Sequence, residues 1–194
     1  MGKRCYLLLV LFIAAGSLQS QSLPARKLPH QGVSLQFAGS VGFLSAGYYR
    51  RTEKEKIELS LIYGHTPRVF GGPLHSVSFK FLYSPFRVGF LHRFSFEPLQ
   101  AGVFIAQNFG RNLYVTWPDK YPSHYYWWSN SLREHVFASS QVSFSPAHTA
   151  FEKISAYFEA NTNDLYIYSW APNRGAITLY DIIFFGIGIK AGIR

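Results

Sequence analysis

Period-two alternation between large apolar residues and small or polar ones recurs along the chain from residue 32 onward. It is plainest at the C-terminus. There Ile183, Phe185, Ile187, Ile189, Ala191 and Ile193 occupy one parity, and Phe184, Gly186, Gly188, Lys190, Gly192 and Arg194 the other. Successive side chains of a strand point to opposite sheet faces, so this pattern predicts one greasy face and one face of glycine and charge. Ile57, Leu59, Leu61 and Tyr63 likewise oppose Glu58, Ser60 and Ile62, and His75, Val77, Phe79, Phe81 and Tyr83 oppose Ser76, Ser78, Lys80 and Leu82. In Leu132–Phe144, Arg133, His135, Ser139, Gln141 and Ser143 share a parity that Phe137 interrupts. From Lys153, Ile154, Ala156, Phe158 and Ala160 oppose Ser155, Tyr157, Glu159 and Asn161, with a continuation through Trp170 as a ridge beyond the sheet. Leu99–Phe109 is apolar on both parities, which leaves its orientation open.

Gly32–Gly39 and Val41–Arg50, turning near Gly39 and Ser40, supply two further strands and bring the count to eight. The alternative reading makes Gly32–Arg50 one long strand and recruits Arg87–Phe96 as the eighth. Arg51–Glu55 and Ser145–Glu152 are short connections, whereas Gly64–Pro73, Gly110–Ser131 and Ala171–Asp181 are long. Pro85–Pro98 is long for its side, and its apolar residues imply that the flanking strands extend into it.

A membrane core has no water for exposed backbone N–H and C=O groups, so strands cross it only as a closed ring. Each spanning strand needs about 9–11 residues, a length the predicted strands approach. Large apolar side chains outward and small polar ones inward invert the order of a soluble barrel. The fold class expected is therefore all-β, an eight-stranded antiparallel transmembrane β-barrel over residues 32–194, with both termini on the periplasmic side. Eight strands leave a lumen that side chains fill. Glu58, Lys80, Arg133, Glu159 and Lys190 are expected there as a mutually neutralising network.

The N-terminus adds a compartment. Lys3 and Arg4 precede an apolar run from Tyr6 to Ala15, followed by Gly16, Ser17, Ser20 and Ser22, the layout of a cleaved signal peptide over about residues 1–20. Residues 21–31 then read as a periplasmic tail. Cys5, the one cysteine, falls in that leader, which excludes a disulfide framework, a cysteine metal site and thiol catalysis in the mature chain. The 194 residues carry 19 Lys and Arg against 10 Asp and Glu, a formal charge of +9. Export, and the lack of a continuous basic groove, argue against nucleic acid as the partner. The 18 Phe and 13 Tyr cluster near strand ends, where amphipathic rings suit a headgroup boundary: Tyr48, Tyr49, Tyr63, Phe70, Tyr114, then Tyr166, Tyr168 and Trp170.

The stretch His75-Ser-Val-Ser-Phe, a long connection and Pro98-Leu-Gln-Ala-Gly-Val resemble the central strand pair of the lipid A 3-O-deacylases, and the whole arrangement resembles OmpX/OmpA-like small barrels. Gly110–Ser131 is similar to small outer-membrane barrels of Bacteroidota. The deacylase resemblance implies a His-x-Ser pair on the penultimate strand. Tyr157–Asn163 holds neither residue, so no catalytic role carries over. The terminal Gly192-Ile193-Arg194 also departs from the terminal aromatic common in this class.

Other chemistry is sparse. His124 and His135, with Ser123, Ser129 or Ser131 and with Glu134 or Asp119, are the residue types of a Ser-His-acid site, against packing at a rim. The seven histidines show no compact metal-ligand spacing, and no cofactor motif occurs. Asn161–Asp164 reads as a polar strand patch before a cation site, and Arg68, Arg111, Lys120 and Arg174 as solvated residues able to meet lipid phosphates. The best partner-facing element is the external loop carrying Trp117, Tyr121, Tyr125, Tyr126, Trp127 and Trp128. The expected role is non-enzymatic: structural, accessory or interaction work in the cell envelope, facing outer-membrane lipid or lipopolysaccharide and an envelope protein partner. A lipid A or phospholipid-modifying enzyme is the alternative, and a narrow solute channel comes third.

Overall fold

The computed structural model describes residues 30–193 apart from 53, 92, 112, 115–128 and 148. Nine strands form one antiparallel sheet: β1 (Gln31–Ala38), β2 (Leu44–Arg51), β3 (Ile57–Thr66), β4 (Leu74–Tyr83), β5 (Val88–Phe90), β6 (Phe94–Gly110), β7 (Leu132–Phe144), β8 (Phe151–Asn163) and β9 (Phe184–Ile193). Every sequential neighbour pairs, except that β4 pairs with β6 across the β5 excursion. β1 also pairs with β9, from Gln31 opposite Ile193 to Ala38 opposite Gly186. That seam closes eight of the strands into a ring with no free edge, and β5 remains a three-residue hairpin arm on β6.

The ring has two ends. Gln31 and Ile193 lie at one, with the turns β2–β3 and β7–β8 and the β5 arm; we call it the terminal end. The far end carries the β1–β2 turn and the longer β3–β4, β6–β7 and β8–β9 connections. Short turns at one end and long connections at the other follow the expected alternation with two exceptions, the tight β1–β2 turn at the far end and the excursion over residues 84–93 that carries β5 at the terminal end.

Three details correct or settle the sequence reading. First, β1 and β2 are separate strands, so the single-strand reading of Gly32–Arg50 fails; Ala38 N–H closes the turn on the Phe43 carbonyl at 3.0 Å, and Gly39 takes φ 77°, a conformation that glycine adopts without penalty. Second, β8 stops at Asn163 rather than running to Trp170. The Asn163 side chain accepts from the Tyr166 N–H at 3.0 Å and starts a seven-residue helix, α1 (Asp164–Trp170), whose alternating Tyr166, Tyr168 and Trp170 mimic a strand in sequence. Third, β6 begins at Phe94. Its register shifts between Glu97 and Gln100, where Pro98 lacks a donor for the ladder. Below the bulge Glu97 faces in; above it Gln100, Phe104 and Ala106 do, which fixes the orientation of this doubly apolar strand.

Radial polarity runs opposite to that of a soluble barrel. Val33, Leu35, Phe37, Leu59, Leu61, Phe79, Val103, Phe158, Ile187 and Ile189 are among the large apolar side chains that lie exposed on the outer wall. Inside are Ser, Gln, Asn, Glu, Lys and Arg, many of them fully buried. The one buried apolar cluster consists, among the described residues, of Val41, Ile62, Leu82, Phe104, Ala106 and Phe137, and it runs from the far mouth down to Leu82, which pairs in register with Glu58. Val41 enters it because the β1–β2 turn folds inward: Ser76 Oγ donates to the Val41 carbonyl, and Phe43 N–H donates to Thr66 Oγ1 at 3.1 Å. Gly64 lies directly beneath that carbonyl, where any Cβ would collide with its oxygen.

Candidate functional site: the filled lumen

The terminal half of the lumen is built from ions. Arg51 ends β2 opposite Glu58 of β3, and its Nε meets Glu58 Oε2 at 2.6 Å while its Nη1 meets Glu97 Oε1 at 3.0 Å. Lys190 of β9 reaches Glu58 Oε1 from the other side at 2.5 Å. Ser84 Oγ donates to Glu97 at 2.8 Å, Gln100 Nε2 also donates to Glu97, and Ser60 Oγ donates to Glu58 at 3.2 Å. Hence the carboxylate oxygens of both acids are covered by donors, the condition under which buried charge is tolerated.

The chain of charges continues to the terminal mouth. Arg87, between β4 and β5, bridges Glu97 at 2.7 Å and Glu55 at 2.6 Å, and Lys153 of β8 also pairs with Glu55. His30 Nδ1 lies 2.8 Å from Glu152 alongside them. Burial pushes the Glu55 carboxyl up, but hydrogen bonds and charge from Arg87 and Lys153 outweigh it and hold its pKa at about 2. The residual space at this mouth, bounded by Tyr49, Arg51, Glu55, Gln141 and Lys190, is about 10 Å³, room for at most a single water.

Lys80 and Glu159 join the two halves. Their ion pair is 2.5 Å long, and the ammonium sits 4.3 Å from the Phe137 ring centre and 5.1 Å from that of Phe104. The inward Phe137 that breaks the polar parity of β7 is therefore a cation–π partner for this lysine. Above it, His135 stacks on Phe104 at 4.2 Å with the planes 6° apart. The far mouth widens into a cleft of about 760 Å³ between the β1–β2 turn, Phe70, Asn108, Arg133 and Phe184.

Of the five residues expected in a lumen network, Glu58, Lys80, Glu159 and Lys190 are buried inside, paired as two separate ion pairs. Arg133 is not part of that chain: it lies at the far mouth, donating to the Leu132 carbonyl at 3.0 Å and standing 3.8 Å from Asp164. Sequence reading missed Arg51 and Glu97, the hub of the terminal half. Arg51 shares the inward parity of Tyr49, a signal that was present; Glu97 lies below the bulge, where parity counted back from Leu99 fails. Tyr49 itself faces in, with Lys190 5.5 Å from its ring centre, and does not belong to the outer aromatic set.

The other candidates separate. Glu134 is exposed on the outer wall and His135 buried on the inner one, so this acid cannot orient that imidazole. Ser131 Oγ donates to the Tyr114 carbonyl at 3.0 Å and accepts from Gln107 Nε2 at 2.7 Å, and Ser129 caps the Leu132 N–H. Neither serine bonds His135. Asn161, Thr162, Asn163 and Asp164 do not converge: Asn161 receives Ser40, Asn163 caps α1, and Thr162 takes the opposite parity. Arg174 packs over the Trp170 ring at 4.8 Å, and Arg68 and Arg111 are exposed at the far end. Trp117, Asp119, Lys120, Tyr121, Ser123, His124, Tyr125, Tyr126, Trp127 and Trp128, with Arg194 and the leader, lie outside the described residues.

Comparison with protein families, with curated proteins and with solved structures finds no match for the chain.

Proposed function

We propose that this chain is an exported barrel of the bacterial outer membrane, of the small type known from Bacteroidota, and that it acts there as a non-enzymatic scaffold for interaction in the envelope rather than as a conduit. The observation carrying this reading is the inverted radial polarity: a closed ring with grease outside and satisfied ions inside. Left in water, that outer wall is an apolar surface far larger than monomeric soluble proteins carry. Its limits fit a bilayer slab. Exposed Arg50, Lys54, Lys56 and Arg93 flank it at the terminal end, where basic side chains can extend to phosphates, and Gln107, Glu134, His65 and His75 interrupt it near the far end. The filled lumen favours a rigid support over solute passage, which leaves the far-end connections as the part able to meet a partner.

Reconstitution tests the reading. The full chain should fold into lipid vesicles as a β-rich, protease-resistant species that extraction with urea does not release, and should add no step conductance to a planar bilayer. A monomer stable in buffer without detergent would overturn the membrane assignment. The scaffold role predicts one defined envelope protein copurifying with the wild type and lost when residues 117–128 are replaced by a Gly/Ser segment. Purification alone in both cases, or a mass change in co-reconstituted lipid A, would count against it, the latter in favour of a lipid-modifying enzyme.

A further inference from the structure

The seven histidines are scattered in sequence, yet the β3–β4 register sets His65 directly opposite His75 on the outer wall near the far end. Their ring centres are 4.6 Å apart. Tyr63, two residues before His65 on the same face, places its hydroxyl oxygen 2.6 Å from His75 Nδ1. These three side chains form a triangle of nitrogen and oxygen donors on two hydrogen-bonded strands that hold ten consecutive residue pairs in register.

We propose that this triangle is a metal site for a divalent late first-row transition ion, with His65 and His75 as the imidazole ligands and Tyr63 as the residue that positions His75. Imidazole suits copper, nickel and zinc, and copper(II) binds such donors most tightly. A metal-bound histidine nearly always has its second ring nitrogen held by a hydrogen bond, which fixes tautomer and ring orientation. Tyr63 Oη stands at His75 Nδ1; in the tautomer whose Nδ1–H donates to that oxygen, Nε2 keeps its lone pair for the ion. His65 is held differently: its Nδ1 is buried without a hydrogen-bond partner among the described residues, so packing against the His75 ring orients it and Nε2 is the nitrogen left for an ion. Both rings are half-buried, leaving the pair reachable from outside the barrel. Solvent or headgroup oxygens would complete the coordination. The site depends on the β3–β4 pairing alone and holds whether or not the barrel spans a membrane.

The test uses the untagged full chain folded in detergent micelles and titrated with copper(II) alone, read by electron paramagnetic resonance, with zinc(II) competition as a second measurement. The expected result is one saturable site whose hyperfine pattern reports two imidazole nitrogens. His65→Asn or His75→Asn should reduce the pattern to one nitrogen and weaken binding at least ~10-fold, and Tyr63→Phe should keep both nitrogens while weakening binding by ~10–100-fold, as loss of an orienting partner does. His135→Asn, on the inner wall, should change nothing. An unchanged shift of the electrophoretic band between unheated and boiled samples shows that each variant still closes its ring. A two-nitrogen signal that survives the His65→Asn/His75→Asn double substitution in the folded protein, or no saturable binding below ~1 mM, would overturn the proposal.

Discussion

The two halves of the lumen solve one packing problem by different means. The far half is plugged by hydrocarbon: Val41, Ile62, Phe104 and Ala106, continued by Phe137 and Leu82 toward the level of Glu58, meet as they would in a soluble core. The terminal half is sealed by charge, with Arg51 holding Glu58 and Glu97 and with Lys190 and Arg87 completing the chain. Apolar contacts are non-directional and degrade gradually when trimmed. A buried ion chain is directional, and each member loses its justification when its neighbour is removed. The terminal half should therefore be intolerant of single changes and the far half forgiving.

The largest expected effect follows at Arg51. Arg51→Ala strands two buried carboxylates and should lower the unfolding free energy by about 3–5 kcal/mol, whereas Ile62→Val in the far half should cost about 0.5–1.5 kcal/mol. Urea unfolding of both variants in vesicles measures the contrast, and equal losses would mean that water solvates the ionic half. Next comes Gly64→Ala. The new methyl meets the Val41 carbonyl and should expel the β1–β2 turn at a cost of about 1–3 kcal/mol, read as faster hydrogen exchange at the Phe43 amide.

The smallest is a pH effect at the terminal mouth. Because the folded carboxyl of Glu55 is held at about 2, below its ordinary value of 4.5, its contribution is complete above that ordinary value and disappears as pH falls from there toward 2. Glu55→Gln should remove about 1 kcal/mol at neutral pH and flatten the acid limb of the stability curve over that window. Unfolding midpoints between pH 6 and pH 2.5 provide the check. An acid limb of unchanged slope in the variant would place the titrating group elsewhere.

The barrel was legible in the sequence because lumen and outer wall differ in kind, and a period of two exposes that difference residue by residue. Ile183 to Ile193 shows it without ambiguity, and so do Glu58 and Lys80 amid apolar neighbours. What stayed hidden depends on contacts between distant segments or on local breaks in the period. Glu97 is obscured by the bulge at Pro98, and α1 by aromatics spaced like a strand, although Asn163-Asp164 carries a helix-start signal. The pairing of His65 with His75 required the register of β3 against β4, which alternation alone does not supply. Partners of a charge in the lumen are likewise set by the stagger of the ring: Lys80 and Glu159 meet across the interior from strands that never touch.

β1 has two duties at once. Its flank zips against β9 to finish the ring, and the turn at its end drops Val41 into the far mouth like a cork. Since one hairpin delivers both, an incompletely zipped chain is also an uncorked one. A leaky, half-assembled cylinder is then not a separate hazard from an open sheet, and one event, the arrival of the first strand beside the last, ends both.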